Sequence, residues 1–153
     1  AASFWQAGHW ANDYILALQA LRVNKDSATF QLNGGNALYR SELFEEALPY
    51  YQRAYELRKD SDILTDRLVP LYNMARAEFK LGNMEGVFEY IEPVITEVPG
   101  FDAGNAYVLF GQALLRSGKN AEAREAFEKA LELNPNSDGA LNGLAKLDTL
   151  ERT

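Results

Sequence analysis

Cysteine is missing from all 153 residues. That excludes disulfides, a thiol nucleophile and cysteine-ligated metals, and it leaves the compartment open, since a cysteine-free chain suits reducing and oxidising surroundings alike. Histidine occurs once, as His9, so neither a two-histidine metal site nor a relay of imidazoles can be assembled. Positive charge is in deficit: 15 Lys and Arg face 22 Asp and Glu, a formal net charge of −7, which argues against a general nucleic-acid binder. No apolar run approaches the ~20 residues that cross a bilayer. The Gly-x-x-x-x-Gly-Lys phosphate cradle is absent, and Gly34-Gly35 fits close helix packing instead. Acidic pairs such as Glu45-Glu46 belong to solvated helix faces, with no apolar neighbourhood to raise a carboxylate pKa. These absences lead us to expect no cofactor, no metal and no catalytic centre. Ala1-Ala2-Ser3 reads as the start of a processed product or excised fragment.

What is present is helical periodicity. From Gly104 to Ser137, Tyr107, Phe110, Gly111 and Leu114 recur along one helix face, and Ala123, Phe127, Ala130 and Leu131 along another. Ser117-Gly118-Lys119 supplies the turn between them, and Pro135 stops the second helix after Asn134. Gly111 and Ala123 are small where the helices cross. A large aromatic, a Gly, Ala, Phe and Pro at these offsets over 34 residues resemble the tetratricopeptide repeat.

The pattern recurs upstream with decay. A partial repeat covers 1–27, with Gly8 at the turn, Trp10 after it, and Ala17, Ala20 and Leu21 on a second helix. In 28–67, Gly34-Gly35, Leu38, Ala47, Tyr51 and Ala54 fall in place; Glu42 replaces the turn glycine and Lys59 the closing proline. Asp60 to Arg67 is a short insertion, with Ser61 or Asp62 expected to cap a helix that starts near Asp62 and bends at Pro70. In 68–103, the counterparts are Leu71, Met74, Ala75, Gly82, Val87, Ile91, Val94 and Pro99, with a kink expected at Pro93. After the repeat at 104–137, the chain restarts a first helix with Leu141, Leu144, Ala145 and Leu147, and residues 138–153 are expected to serve as a capping helix. The expected fold is therefore all-α: one domain over 1–153, built of antiparallel helix pairs.

The resemblance implies a right-handed superhelical solenoid whose first helices line a concave groove. It points to Leu32, Asn33, Asn36, Tyr39 and Arg40, to Tyr72, Asn73, Arg76, Phe79 and Lys80, to Asn105, Val108, Leu109, Gln112 and Arg116, and to Asn142 and Lys146. Arg40, Lys80 and Arg116 occupy one equivalent position, so a basic line is expected on an otherwise acidic protein. The acidic residues Glu45, Glu46, Glu85, Glu89, Glu122, Glu125 and Glu128 fall on second helices, facing out. Asparagine amides both donate to and accept from a peptide backbone, and Arg and Lys hold carboxylates. The plainer reading of Arg40, Lys80 and Arg116 is that they complement helix C-termini. Family members that grip the acidic tail of heat-shock chaperones use two Asn and three basic residues. Asn36 and Asn73 match the Asn, whereas Leu32, Asn105 and Leu109 stand at the basic positions, so that clamp is not expected.

The reading that follows is a non-catalytic module that binds a protein or peptide partner, with an acidic segment or free carboxylate as the favoured ligand and no nucleic acid. Two alternatives stand beside it: a self-assembly scaffold, and a regulatory or targeting segment of a larger protein or enzyme. Trp10 is expected in helix packing and Trp5 near the groove rim. An apolar N-terminal end of that kind would pair with a second chain. Soluble locations inside the cell or in an exported compartment are not distinguished.

Overall fold

The computed structural model describes residues 24–97 and 103–152, together with Ile15 and Gln19. The expected features at Trp5, Gly8, His9, Trp10, Ala17, Ala20, Leu21 and Pro99 lie outside the described residues. Among those described, every regular element is an α-helix, and the chain divides into two compact units, Ala1–Leu81 and Gly82–Thr153. The first contains α1 (Ala28–Arg40), α2 (Phe44–Arg58) and α3 (Leu64–Leu81). The second contains α4 (Met84–Glu97), α5 (Ala103–Arg116), α6 (Asn120–Leu133) and α7 (Asp138–Glu151).

In the first unit α2 packs on both α1 and α3. Its inner stripe, Ala47, Tyr51 and Ala54, has the helical spacing seen in the sequence and is buried, with Leu38 on α1 and Leu68, Leu71, Met74 and Ala75 on α3. Gly35 lets the helices approach: a Cβ there would lie 2.6 Å from the Tyr51 ring. The α1–α2 turn is closed by two hydrogen bonds, from Leu43 N–H to the Leu38 carbonyl and from Glu42 N–H to the Tyr39 carbonyl. This is the Schellman arrangement, which needs a left-handed residue at its centre. Glu42 fills that place at φ 60°. The α5–α6 turn repeats the pattern with Gly118 at φ 74°.

The α3 start differs from expectation. The helix begins at Leu64, after the expected Asp62, and in the turn before it the Ser61 hydroxyl accepts from Ile63 N–H and donates to Asp66. Arg58 then bridges Asp66 at 2.7 Å and donates to Thr29, joining all three helices. Pro70 and Pro93 lie within α3 and α4, and neither interrupts its helix.

In the second unit α5 packs on α4, α6 and α7, and α6 packs on α7. Phe127 on α6 is fully buried between two glycines: a Cβ at Gly111 would lie 2.7 Å from its ring and one at Gly143 would lie 2.4 Å from it. The Ser137 side chain caps α7 by accepting from Ala140 N–H, and Arg124 on α6 pairs with Asp148 and Glu151. The apolar residues that restart the helix pattern in α7 divide by burial. Ala140, Gly143 and Leu147 are buried, Leu144 is half-buried, and Leu141 and Ala145 are exposed. Only the side of α7 that meets α5 and α6 is covered. Leu141 and Ala145 correspond to Tyr107 and Gly111, the side that a following second helix would cover.

Candidate functional site: the amide pair of the first helices

Asn36, Tyr39 and Arg40 lie one turn apart on α1, and Asn73, Arg76 and Lys80 follow each other along α3. Their helices are held on a shared neighbour, α2, and this brings two side-chain amides together. Asn73 Nδ2 donates to Asn36 Oδ1 at 3.5 Å. The same oxygen accepts from the Tyr51 hydroxyl at 3.0 Å. Asn73 is buried and Asn36 half-buried. Beside them the Arg76 guanidinium carbon lies 4.5 Å from the Tyr39 ring centroid and 5.8 Å from that of Tyr72, a cation–π arrangement. Tyr39 meets Phe44 edge-on at 5.0 Å, which fixes the ring that Arg76 covers.

Burial pushes the Tyr51 phenol well above the ordinary tyrosine range, against the opposing pull of Arg76 and Arg40. The hydroxyl therefore stays protonated and remains a donor to Asn36. Sequence reasoning placed Tyr51 in the core and missed this polar role. The available signal was a tyrosine at the position that Phe127 holds in the later repeat.

The other expected positions divide as follows. Asn33, Arg40 and Lys80 are exposed, and Leu32 and Phe79 are half-buried. In the second unit Asn105, Arg116, Asn142 and Lys146 are exposed and Gln112 is half-buried. Leu109 is buried, and Val108 packs against α7, where a Cβ on Gly139 would lie 2.8 Å from it. The seven acidic residues assigned to second helices are all exposed. Among the described residues no group of three or more His, Asp or Glu could hold a metal ion, and no helix is long and apolar enough to cross a membrane.

A family profile described as the tetratricopeptide repeat matches residues 104–137, and a second with that description matches residues 15–62. The chain belongs to the tetratricopeptide-repeat family. The first match, which starts inside α5 and runs past the end of α6, has the bounds of the repeat expected at 104–137. The mouse protein O-mannosyl-transferase TMTC3 is 27% identical over 173 residues, covering 84% of this chain and 18% of that protein. The small glutamine-rich tetratricopeptide repeat-containing protein 2 of Mycosarcoma maydis is 30% identical over 113 residues, covering 72% of this chain and 29% of that protein. The chain thus spans less than a third of the length of either relative.

Solved tetratricopeptide-repeat structures share the fold. The first such domain of Spaghetti (RPAP3), solved bound to the HSP90 peptide SRMEEVD, has a TM-score of 0.71 at 23% identity and covers 82% of this chain and 94% of that one. The MamA crystal structure has a TM-score of 0.76 at 16% identity, covering 93% of this chain and 73% of that one. The fold class is the all-α solenoid of antiparallel helix pairs that the repeat pattern led us to expect.

Proposed function

We propose that this chain is a protein-interaction module, itself non-catalytic, whose first unit takes hold of an extended acidic peptide segment. The observation that carries this reading is the amide pair, Asn36 and Asn73, contributed by successive first helices beside a guanidinium already seated on Tyr39. Amides engage a peptide backbone without regard to its side chains, which suits recognition of an extended segment. Arg76, with Arg40 and Lys80 exposed nearby in sequence on the same two helices, draws carboxylates. The peptide bound to the Spaghetti domain is acidic at its C-terminal end, and this supports the ligand class. Leu32, Asn105 and Leu109 replace basic residues expected of a chaperone-tail clamp, so the contact with a carboxylate depends on Arg76 and Lys80. For the second unit by itself, we propose Asn105, Gln112, Arg116 and Lys146 as the polar contact positions on α5 and α7.

The test is fluorescence anisotropy with labelled SRMEEVD and with the same peptide amidated at its C-terminus. We expect the free acid to bind and the amide to bind at least threefold more weakly. Arg76→Gln with Lys80→Gln should weaken the acid about tenfold or more, the scale of one charge-assisted contact, while helicity stays unchanged. Equal affinity of the double variant and the unaltered protein sinks the proposal.

A second reading has its own support. The match to the mouse and human O-mannosyl-transferases covers 84% and 88% of this chain but under a fifth of each of those proteins. In that reading the module holds a partner for a catalytic part elsewhere in a longer chain. The reading frame of the parent gene decides it.

A further inference from the structure

The two amides of the candidate site are not equivalent, and the difference comes from α2. Asn36 Oδ1 receives two donors from within the protein, the Tyr51 hydroxyl at 3.0 Å and Asn73 Nδ2 at 3.5 Å. A side-chain amide has one oxygen and one nitrogen on a planar group, so occupying the oxygen in this way selects one of its two flip states. The group that Asn36 then has to offer is its N–H. Asn73 spends an N–H on Asn36 and keeps its carbonyl oxygen to offer.

We propose that Tyr51 is a positioning residue, whose buried hydroxyl sets the Asn36 amide so that the site meets a ligand with a donor at Asn36 and an acceptor at Asn73. This rests on the peptide-binding reading above and adds a polarity to it. The ligand presents a carbonyl or carboxylate oxygen to Asn36 and a backbone N–H to Asn73.

The second unit supplies a natural contrast. By repeat register, Phe127 corresponds to Tyr51, Gln112 to Asn36 and Gly143 to Asn73. There the aromatic ring has no hydroxyl, and the position facing it carries no amide: Gly143 is pressed directly onto the Phe127 ring. The hydroxyl thus accompanies the amide pair and is missing where the pair is missing. The ring of Tyr51 is needed for packing at either kind of join, as its contact with Gly35 shows. Its oxygen is needed only by Asn36.

Tyr51→Phe removes that oxygen and keeps the ring. Two measurements read the outcome. The first is the Asn36 side-chain amide pair in nitrogen–proton correlation spectra of the free protein, which needs no ligand. We expect one sharp pair in the unaltered protein and a displaced, broadened or doubled pair in Tyr51→Phe, with backbone resonances of α1–α3 otherwise little moved. The second is the affinity for SRMEEVD, expected to fall about tenfold, the effect of one buried hydrogen bond. Unchanged Asn36 resonances overturn the proposal, as does an unchanged affinity where the unaltered protein binds. If the peptide binds neither protein, the peptide-binding reading fails by itself, and the Asn36 resonances still decide whether Tyr51 orients the amide.

Discussion

Replacing Gly111 with alanine is a stringent trial of the packing in the second unit. In a helix interior, glycine to alanine ordinarily stabilises by about 0.5–1 kcal/mol, because alanine has less backbone freedom to lose. At Gly111 the new Cβ would sit 2.7 Å from Phe127 Cε1, 2.8 Å from Cδ1 and 3.0 Å from Cζ. The ring has little room to shift, since the Gly143 Cβ position also lies 2.4–2.6 Å from its atoms. Overpacking of this kind costs about 1–3 kcal/mol, so the net expectation is a loss of up to about 2.5 kcal/mol after the helix gain is subtracted. Gly104→Ala is the control. Its Cβ meets nothing closer than 3.6 Å, and a gain of up to about 0.5 kcal/mol is expected. Urea unfolding followed by far-ultraviolet circular dichroism separates the two. Phe127→Leu makes room on the α5 side, so Gly111→Ala should cost less in that background, with a coupling of about 0.5–2 kcal/mol. Equal midpoints for Gly111→Ala and Gly104→Ala, or no coupling to Phe127, would refute the packing described here.

Other outcomes follow from the same geometry. Glu42 holds a left-handed backbone at φ 60°, a conformation that costs a non-glycine residue roughly 1–2 kcal/mol. Glu42→Gly should therefore raise the melting temperature, and Gly118→Ala, with open space around its Cβ but φ at 74°, should lower it. The pH dependence of Tyr51 has a definite sign. Its folded pKa lies above the unfolded value of about 10 because burial disfavours the phenolate. The stability it confers is complete below pH ~10 and is lost as pH rises further, at about 1.4 kcal/mol per unit. Tyr51→Phe should flatten that alkaline decline in a series of urea titrations, and an unchanged slope would count against it.

The helix pairs were legible because their signals are steric and local. Gly35 and Gly111 were legible as small residues where helices pack closely, while their partners, the Tyr51 and Phe127 rings, came from the structure. The left-handed turn after α1 was legible by position although Glu42 hid it by type, since a Schellman turn constrains backbone more than side chain. Other features were not available from spacing. Leu141 and Ala145 carry the repeat signature yet stand exposed, because burial depends on which side of a helix meets its neighbours and not on its own periodicity. The Ser61 hydroxyl before α3 bonds both Ile63 N–H and Asp66, a local arrangement that spacing does not reveal. At the candidate site Asn36, Asn73 and Arg76 were named by family resemblance. The stacking of Arg76 on Tyr39 and the hydroxyl of Tyr51 on Asn36 each join residues from different helices, and single-helix periodicity is silent about such pairs.

The join around Phe127 also limits how such hairpins can be exchanged. A helix arriving in the place of α7 has to offer bare backbone where Gly143 stands, or the ring beneath it has no room. The corresponding place in the first unit accepts the asparagine of Asn73. Hairpins of this chain are thus keyed to their successors: grafting α3 behind α6 would set an amide against a phenyl face, and a duplication or shuffled array would have to change both partners of a joint together.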